Sequence, residues 1–300
     1  MIDNNQFDLG ILPPIKKYCF MFVCQKGELE LQSILLAESI KQFVEVDCDI
    51  IAMIPQPTEF FGTPSKYTLD ILKTLGVSFQ EFTNELILPP NPQDVCLFTN
   101  KMYALRDVST DAEKIIFLDT DCLFLKKFYG DPCFHIPISA CIATSGQECL
   151  SEICLKDIYD QLGLKIPNQR TRIFSPRHTY MPPRFSTGMI AIDADLKKPF
   201  TTTWLDYYSK VNNLSSLKYK YFSEEWSFGF SVIEMNVLYT ILGIEWRNSR
   251  IFHYGVPSNM QSNSDCWMLM SHIYNKYPEI ISLVDNAAIW KNLFNSLNLV

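Results

Sequence analysis

Two aspartates one residue apart, Asp119 and Asp121, directly follow the apolar run 114–118. Open α/β sheets bind their ligands at the carboxyl ends of strands, and a charge beside a buried run is costly unless it is compensated. Carboxylate oxygens suit Mg²⁺ or Mn²⁺, whose remaining coordination positions a substrate phosphate can fill. The pair therefore predicts a divalent metal site that handles a phosphorylated ligand, although Asp is also common in ordinary turns.

The elements that must position this pair alternate along the chain. Short apolar runs, typical of strands buried on both faces, alternate with segments whose apolar residues recur at helical spacing. This pattern predicts an α/β fold with a central, mainly parallel sheet flanked by helices. The predicted strands cover 18–24, 49–54, 77–82, 114–118, 136–144 and 188–193, and the predicted helices cover 28–44, 65–75, 99–108, 151–162, 195–211 and 224–241.

The composition excludes several classes of protein. Of the 300 residues 47% are hydrophobic and 20% are charged, which favours a packed core over disorder. The net charge of −7 gives no sign of the basic face that nucleic-acid binding requires, so we expect no nucleic-acid partner. No apolar run approaches the ~18 residues of a membrane helix, so we expect no membrane span.

Cysteine usage and the chain termini suggest a compartment. The ten cysteines include no C-x-x-C pair and several lie in apolar runs, which favours buried thiols over a zinc site or disulfides. The N-terminus lacks the basic stretch and apolar segment of a secretory signal, so we expect a cytoplasmic protein. We also expect a single domain over residues 1–300, with 1–17 forming a peripheral arm.

Four segments in order resemble the glycogenin-like glycosyltransferases of glycosyltransferase family 8. They are FTNKMYAL at 98–105, IIFLDTD at 115–121, RFSTGMIAID at 184–193 and IFHYG at 251–255. The resemblance implies a GT-A, Rossmann-like fold and transfer of a sugar from a nucleotide-diphosphate donor to an acceptor hydroxyl. It implies Mn²⁺ or Mg²⁺ as cofactor and a UDP-sugar as the expected donor, and it leaves a glycan, a lipid or a protein open as acceptor.

The same resemblance implies roles for individual residues. Asp119 and Asp121 would bind the metal ion together with His253, which would otherwise be a hydrogen-bonded histidine at the end of a strand. Lys101 is implied as a donor contact and candidate catalytic residue. The full set implied to bind the donor is Lys101, Arg106, Gln25, Gly188 and Thr120.

The sequence also departs from the family pattern. After Gly255 the usual Lys and Pro-Trp pair is missing, and the Asp-Gln acceptor motif is absent in that form. Glu225 and Glu234 are the candidate catalytic carboxylates, with Glu224 and Asn236 beside them. Retention and inversion at the anomeric carbon are equally compatible with such a residue.

Two other functions remain open at this point. A non-catalytic protein that binds nucleotide sugars is compatible with the missing Lys and Pro-Trp pair. A magnesium-dependent phosphatase similar to the haloacid dehalogenases is less well supported. Its D-x-D motif expects Thr or Val where this chain has Leu123, and no convincing later acidic pair follows.

Overall fold

The computed structural model describes residues 15, 17–86, 97–143, 152–168, 171–172, 180–214, 223–243, 251–253 and 263–283. Seven strands form the central sheet, in the order β10-β6-β9-β4-β1-β2-β3. They are β1 (Tyr18–Val23), β2 (Cys48–Gln56), β3 (Ser78–Thr83), β4 (Lys114–Leu118), β6 (Ile138–Ile142), β9 (Phe185–Asp193) and β10 (Tyr239–Leu242). Two small antiparallel pairs accompany it: β5 (Cys122–Phe124) with β11 (Ile251–His253), and β7 (Thr171–Arg172) with β8 (Tyr180–Met181).

The helices follow the strands in alternation. They are α1 (Glu28–Phe43), α2 (Thr58–Phe61), α3 (Lys66–Thr74), α4 (Asn100–Asp107), α5 (Glu152–Gln161), α6 (Lys197–Asn213), α7 (Ser223–Glu234) and α8 (Ser264–Lys276). Short 3₁₀ turns lie at Leu97–Thr99, Pro132–His135 and Pro278–Leu283.

Every pairing in the central sheet is parallel except the two made by β9. The prediction of an α/β fold with a central, mainly parallel sheet flanked by helices is therefore confirmed. Parallel strands require crossover connections, and here these are the amphipathic segments that the sequence pattern identified as helices.

The first strand shows why the sheet is buried on both faces. Successive side chains of a strand point to opposite faces, and all six residues of β1 are buried. Phe20 and Phe22 pack in one core cluster together with residues of α1, α3 and α8. Cys19 and Met21 pack in a second cluster together with residues of α4, α6 and α7. A continuous apolar run is therefore required here.

The helix predicted over 224–241 is wrong in its second half. It ends at Glu234, and Tyr239–Leu242 is the edge strand β10. Asn236 has a φ of 49°, the left-handed conformation with which helices often end. The run Tyr-Thr-Ile-Leu then adds beside β6, since aromatic and β-branched residues favour strands. The short strands β5, β7 and β8 and the helices α2 and α8 were not predicted from the sequence, whereas β11 ends at His253 as the alternative interpretation of that residue expected.

The remaining expectations concern the ends of the chain, the thiols and membranes. The predicted arm over 1–17 lies outside the described residues except for Ile15 and Lys17, and the single domain over 1–300 stays a prediction. No disulfide joins the eight cysteines that the structure describes, and five of them are buried. Among the described helices, none has the length and hydropathy to cross a membrane.

Glu30 joins the start of α1 to the start of α3. Its carboxylate accepts hydrogen bonds from the Gly27 N–H at 3.1 Å, the Ser65 N–H at 2.7 Å and the Thr68 hydroxyl at 2.6 Å. Glu30 and Thr68 are buried and the other two contacts are partly buried, so loss of the carboxylate would leave donors with little access to water. The contact holds the loop between β1 and α1 in place.

Replacing Glu30 with Ala should lower the free energy of unfolding by about 2 to 3 kcal/mol, because buried donors lose their acceptor. Denaturant titration measures the change. Glu28→Ala, in the same helical turn but exposed, is the matched control and should cost less than about 1 kcal/mol. Equal losses in the two variants would contradict the role given to Glu30.

Candidate active site

A cavity of about 380 Å³ opens at the carboxyl ends of β1 and β4. The loop after β1, the start of α1 and the start of α4 form its walls. Its lining includes Gln25, Lys101 and the turn Asp119–Asp121. The volume falls within the range typical of small-molecule sites, which is roughly 300 to 1,000 Å³.

The turn after β4 presents the two aspartates at this cavity. The Asp119 N–H donates to the Gly188 carbonyl at 2.8 Å, which continues the pairing of β4 with β9. The Cys122 N–H donates to the Asp119 carbonyl at 3.0 Å and closes the turn. The Thr120 hydroxyl lies 2.7 Å from Gln32 Oε1 on α1, a buried contact that fixes the middle of the turn.

Lys101 lies behind the turn rather than in open solvent. Its Nζ is 3.0 Å from both carboxylate oxygens of Asp119 and 3.3 Å from the Thr187 hydroxyl. Burial lowers the pKa of Lys101, but the charges of Asp119 and Glu224 outweigh it and raise the pKa above its ordinary value. The ammonium therefore stays charged and compensates the partly buried carboxylate of Asp119.

Asp121 and His253 meet on the other side of the turn. Asp121 Oδ1 lies 2.9 Å from His253 Nε2, and among the described residues no donor reaches this oxygen with hydrogen-bond geometry. Adjacent ligands of an octahedral ion with bonds of about 2.1 Å lie about 3 Å apart. The 2.9 Å between the carboxylate and the imidazole matches this separation. The two residues are therefore suitable ligands for Mn²⁺ or Mg²⁺.

Gly188 on β9 has no side chain, and this leaves room for His253 and Asp119 beside the strand. A β-carbon at this position would be 3.2 Å from His253 Cε1 and 3.3 Å from Asp119 Oδ2. Both side chains thus approach the same point of the backbone from different elements. A larger residue would force one of them to move.

A chain of amides begins at the cavity wall, which includes Gln25 and Asn100. The Asn100 Nδ2 donates to Gln25 Oε1 at 3.2 Å, and the Asn84 Nδ2 donates to Asn100 Oδ1 at 2.8 Å and to the Thr99 hydroxyl at 3.0 Å. These bonds orient Gln25 at the end of β1. Gln25 was predicted from the sequence as a residue that binds the donor, whereas Asn84 and Asn100 were not. Their contact depends on the fold, because it joins separate segments of the chain.

The start of α7 brings a further acidic pair near Lys101. Glu225 pairs with Arg184 at 2.9 Å, and the Arg184 guanidinium lies 4.9 Å from the Trp226 ring. Glu224 is also buried, and among the described residues no donor reaches its Oε2. Burial raises the pKa of Glu224 from 4.5 to about 7, opposed by Lys101 and assisted by Glu225.

Five of the candidate residues are not in the lining of the cavity: Arg106, Gly188, Glu225, Glu234 and His253. Gly188 and His253 nevertheless contact the aspartates that line it, whereas Glu234 and Arg106 lie further away. Glu234 is ten residues beyond Glu224 on α7, about 15 Å along the helix, and accepts from the Tyr207 hydroxyl at 3.2 Å. Arg106 is five residues beyond Lys101, which rotates it by about 140° around α4. Its guanidinium pairs with Glu85 at 2.8 Å and with Asp107.

A family model described as a Rhodobacterales glycosyltransferase domain matches residues 20–220 of this chain. That span is 201 of the 300 residues, so the chain belongs to this glycosyltransferase family. The match confirms the glycosyltransferase expected from the resemblance to glycogenin-like enzymes. Lys101, Asp119, Asp121 and Gly188 lie within the matched span, whereas His253 and the acidic pair of α7 lie beyond it.

Solved structures give more distant similarities. The galactosyltransferase LgtC in complex with donor and acceptor sugar analogues matches at 11% identity and a TM-score of 0.48, over 74% of this chain and 73% of that one. A second structure of LgtC, with a substitution in its active site, matches at 11% identity and a TM-score of 0.44, over 74% and 72%. Curated protein sequences include none that matches this chain.

Gly188→Ala should displace His253 or Asp119, because the added methyl group approaches both more closely than side chains normally pack. We expect a loss of stability of about 1 to 3 kcal/mol and a shift of the His253 imidazole resonances in NMR spectra. Gly243→Ala is the matched control, since no atom lies within 4 Å of its added β-carbon. Wild-type stability together with unchanged His253 resonances in Gly188→Ala would refute the close approach.

The raised pKa of Glu224 makes stability depend on pH. The folded state holds this proton more tightly than the unfolded state, so stability falls as pH rises from 4.5 towards 7 and stays lower above that. Glu224→Gln removes this loss. Between pH 5 and pH 8 the variant should therefore gain about 2 kcal/mol relative to wild type in denaturant titrations.

The exposed Glu59→Gln is the control for removal of an acidic charge, and it should differ from wild type by less than about 0.5 kcal/mol at either pH. A gain in Glu224→Gln that is the same at pH 5 and pH 8 would mean that Glu224 does not titrate in this interval.

Proposed function

We propose that this protein transfers a sugar from a nucleotide-diphosphate donor to an acceptor hydroxyl in a metal-dependent reaction of the GT-A type. The observation that carries the proposal is the 2.9 Å approach of His253 to Asp121, which lines the cavity, beside the contact of Lys101 with Asp119. Family membership supports the transfer reaction, and this convergence of oxygen and nitrogen ligands supports the metal.

In this proposal Asp121, His253 and Asp119 hold the divalent ion. When bound, the ion supplies positive charge that stabilises the departing nucleoside diphosphate. The protein has a net charge of −7 and therefore needs a local source of positive charge to bind a diphosphate. Burial raises the pKa of Asp119, and the charge of Lys101 opposes that rise. The 3.0 Å contacts of Lys101 orient the carboxylate.

The donor would lie in the cavity of about 380 Å³. Gln25, oriented by its amide partners, would contact the nucleotide, for which uridine is the expectation carried over from the resemblance. Thr120 would hold the turn in register with α1 through its bond to Gln32. Gly188 would let the donor sugar approach the backbone of β9.

We assign the acceptor side to Glu224. Its carboxyl is buried, lies within electrostatic range of Lys101 and Asp119, and has a pKa near 7. A carboxyl with such a pKa can accept and return a proton at neutral pH, as removal of the proton from an acceptor hydroxyl requires. Glu225 is engaged by Arg184 instead, and we propose that this pair fixes the first turn of α7 so that Glu224 keeps its orientation.

A panel of nucleotides and Mn²⁺ tests the proposal by thermal unfolding. A nucleoside diphosphate at a hundred times its dissociation constant should stabilise wild type by ~2.7 kcal/mol in the presence of Mn²⁺. Asp121→Asn should lose this shift, and Asp206→Asn, an exposed acid on α6, should keep it. If no nucleotide of the panel shifts wild type, the proposed donor site is wrong.

Release of free sugar from the stabilising donor then separates an enzyme from a binding protein. Asp121→Asn should reduce release by about 10- to 100-fold or more, as loss of a metal-site group does. A wild-type protein that binds donors but releases no sugar, with any acceptor tried, would favour the non-catalytic alternative.

A further inference from the structure

We propose that Cys122 joins Asp121 and His253 in a second, thiolate-containing ligand set that binds Zn²⁺. The inference rests on the metal site of the proposed function, because it uses two of the same residues. It replaces Asp119, whose carboxylate is turned towards Lys101, with the thiol that follows the D-x-D turn.

The fold brings these three ligands together from two strands. Cys122 begins β5 and His253 ends β11, and the two residues are direct partners in the antiparallel register. Directly opposed residues of an antiparallel pair project to the same face. Asp121 lies in the turn just before β5. The candidate ligand atoms of the three residues all lie within 4.8 Å of one another.

The two partly exposed ligands, Asp121 and His253, leave a path by which an ion can reach the site. The side chains of Asp121 and His253 are 20% and 21% exposed, whereas Cys122 is buried behind them. Cys122 Sγ now donates a weak hydrogen bond to the Gly188 carbonyl at 3.6 Å. On binding, the S–H bond breaks, a sulfur–zinc bond forms and the proton leaves to solvent.

The chemistry of the set selects the ion. Thiolate, imidazole and carboxylate are the three side-chain ligands of Zn²⁺, and sites with three protein ligands keep a fourth position open. Sites of nitrogen and sulfur ligands bind Zn²⁺ more tightly than Mn²⁺, whereas oxygen ligands suit Mn²⁺ and Mg²⁺. Zn²⁺ held by Cys122 would occupy Asp121 and His253 and would therefore exclude the Mn²⁺ or Mg²⁺ of the transfer reaction.

Cobalt substitution tests the thiolate directly, because Co²⁺ bound to sulfur shows a charge-transfer absorption in the near ultraviolet. Wild type titrated with Co²⁺ should develop this band, and Zn²⁺ should abolish it. Cys122→Ser should lack the band and bind Zn²⁺ about 10- to 100-fold more weakly. Cys154→Ser changes an exposed thiol outside the site and should behave as wild type.

Binding of Mn²⁺, followed by electron paramagnetic resonance, separates the two hypotheses and reports that the site is folded. Cys122→Ser should retain Mn²⁺ binding to within a few-fold, since the oxygen and nitrogen ligands remain. A band that persists in Cys122→Ser, or none in wild type while Mn²⁺ still binds, overturns the zinc set and leaves the proposed function standing. Failure of wild type to bind any of the three ions overturns both.

Discussion

The contact between the buried Lys101 and the partly buried Asp119 is the interaction on which the candidate site depends. Two acidic residues at the end of a fully buried strand would be unfavourable without a compensating charge, and Lys101 provides it at 3.0 Å. The ammonium also contacts Thr187, so one side chain ties α4 to the turn after β4 and to β9. Because this pair keeps Asp119 in place, the nearby residue Asp121 can face the cavity and His253.

The small pair of strands β5 and β11 is the second constraint. It is only three residues long on each side, yet it brings His253 next to a turn more than a hundred residues earlier in the chain. Gly188 gives this arrangement its space, since a side chain at that position would meet both His253 and Asp119. The metal site proposed here is therefore a product of three elements, none of which contains it alone.

Acidic groups accumulate around Lys101, and their differing environments divide their roles. Asp119 is paired with an ammonium, Glu225 with the Arg184 guanidinium, and Glu224 with neither, so burial dominates its pKa. Neighbouring carboxyl groups with different protonation behaviour are a common basis for acid–base chemistry at neutral pH. In a chain with a net charge of −7, the two buried cations Lys101 and Arg184 pair with Asp119 and Glu225.

Sequence pattern alone predicted six of the seven strands of the central sheet and the position of the aspartate pair, but not the edge strand β10. Residues that alternate between two cores must be apolar throughout, as in β1, and a charged pair after such a run stands out at once. Sequence pattern could not show that Arg106 pairs with Glu85 and Asp107 while Lys101 contacts Asp119. Nor could it show that Glu225, rather than Glu224, pairs with Arg184. Those outcomes depend on contacts between distant segments, as does the pairing of Cys122 with His253. Local pattern encodes burial, whereas the partner of each polar group is decided only when the tertiary structure brings the elements together.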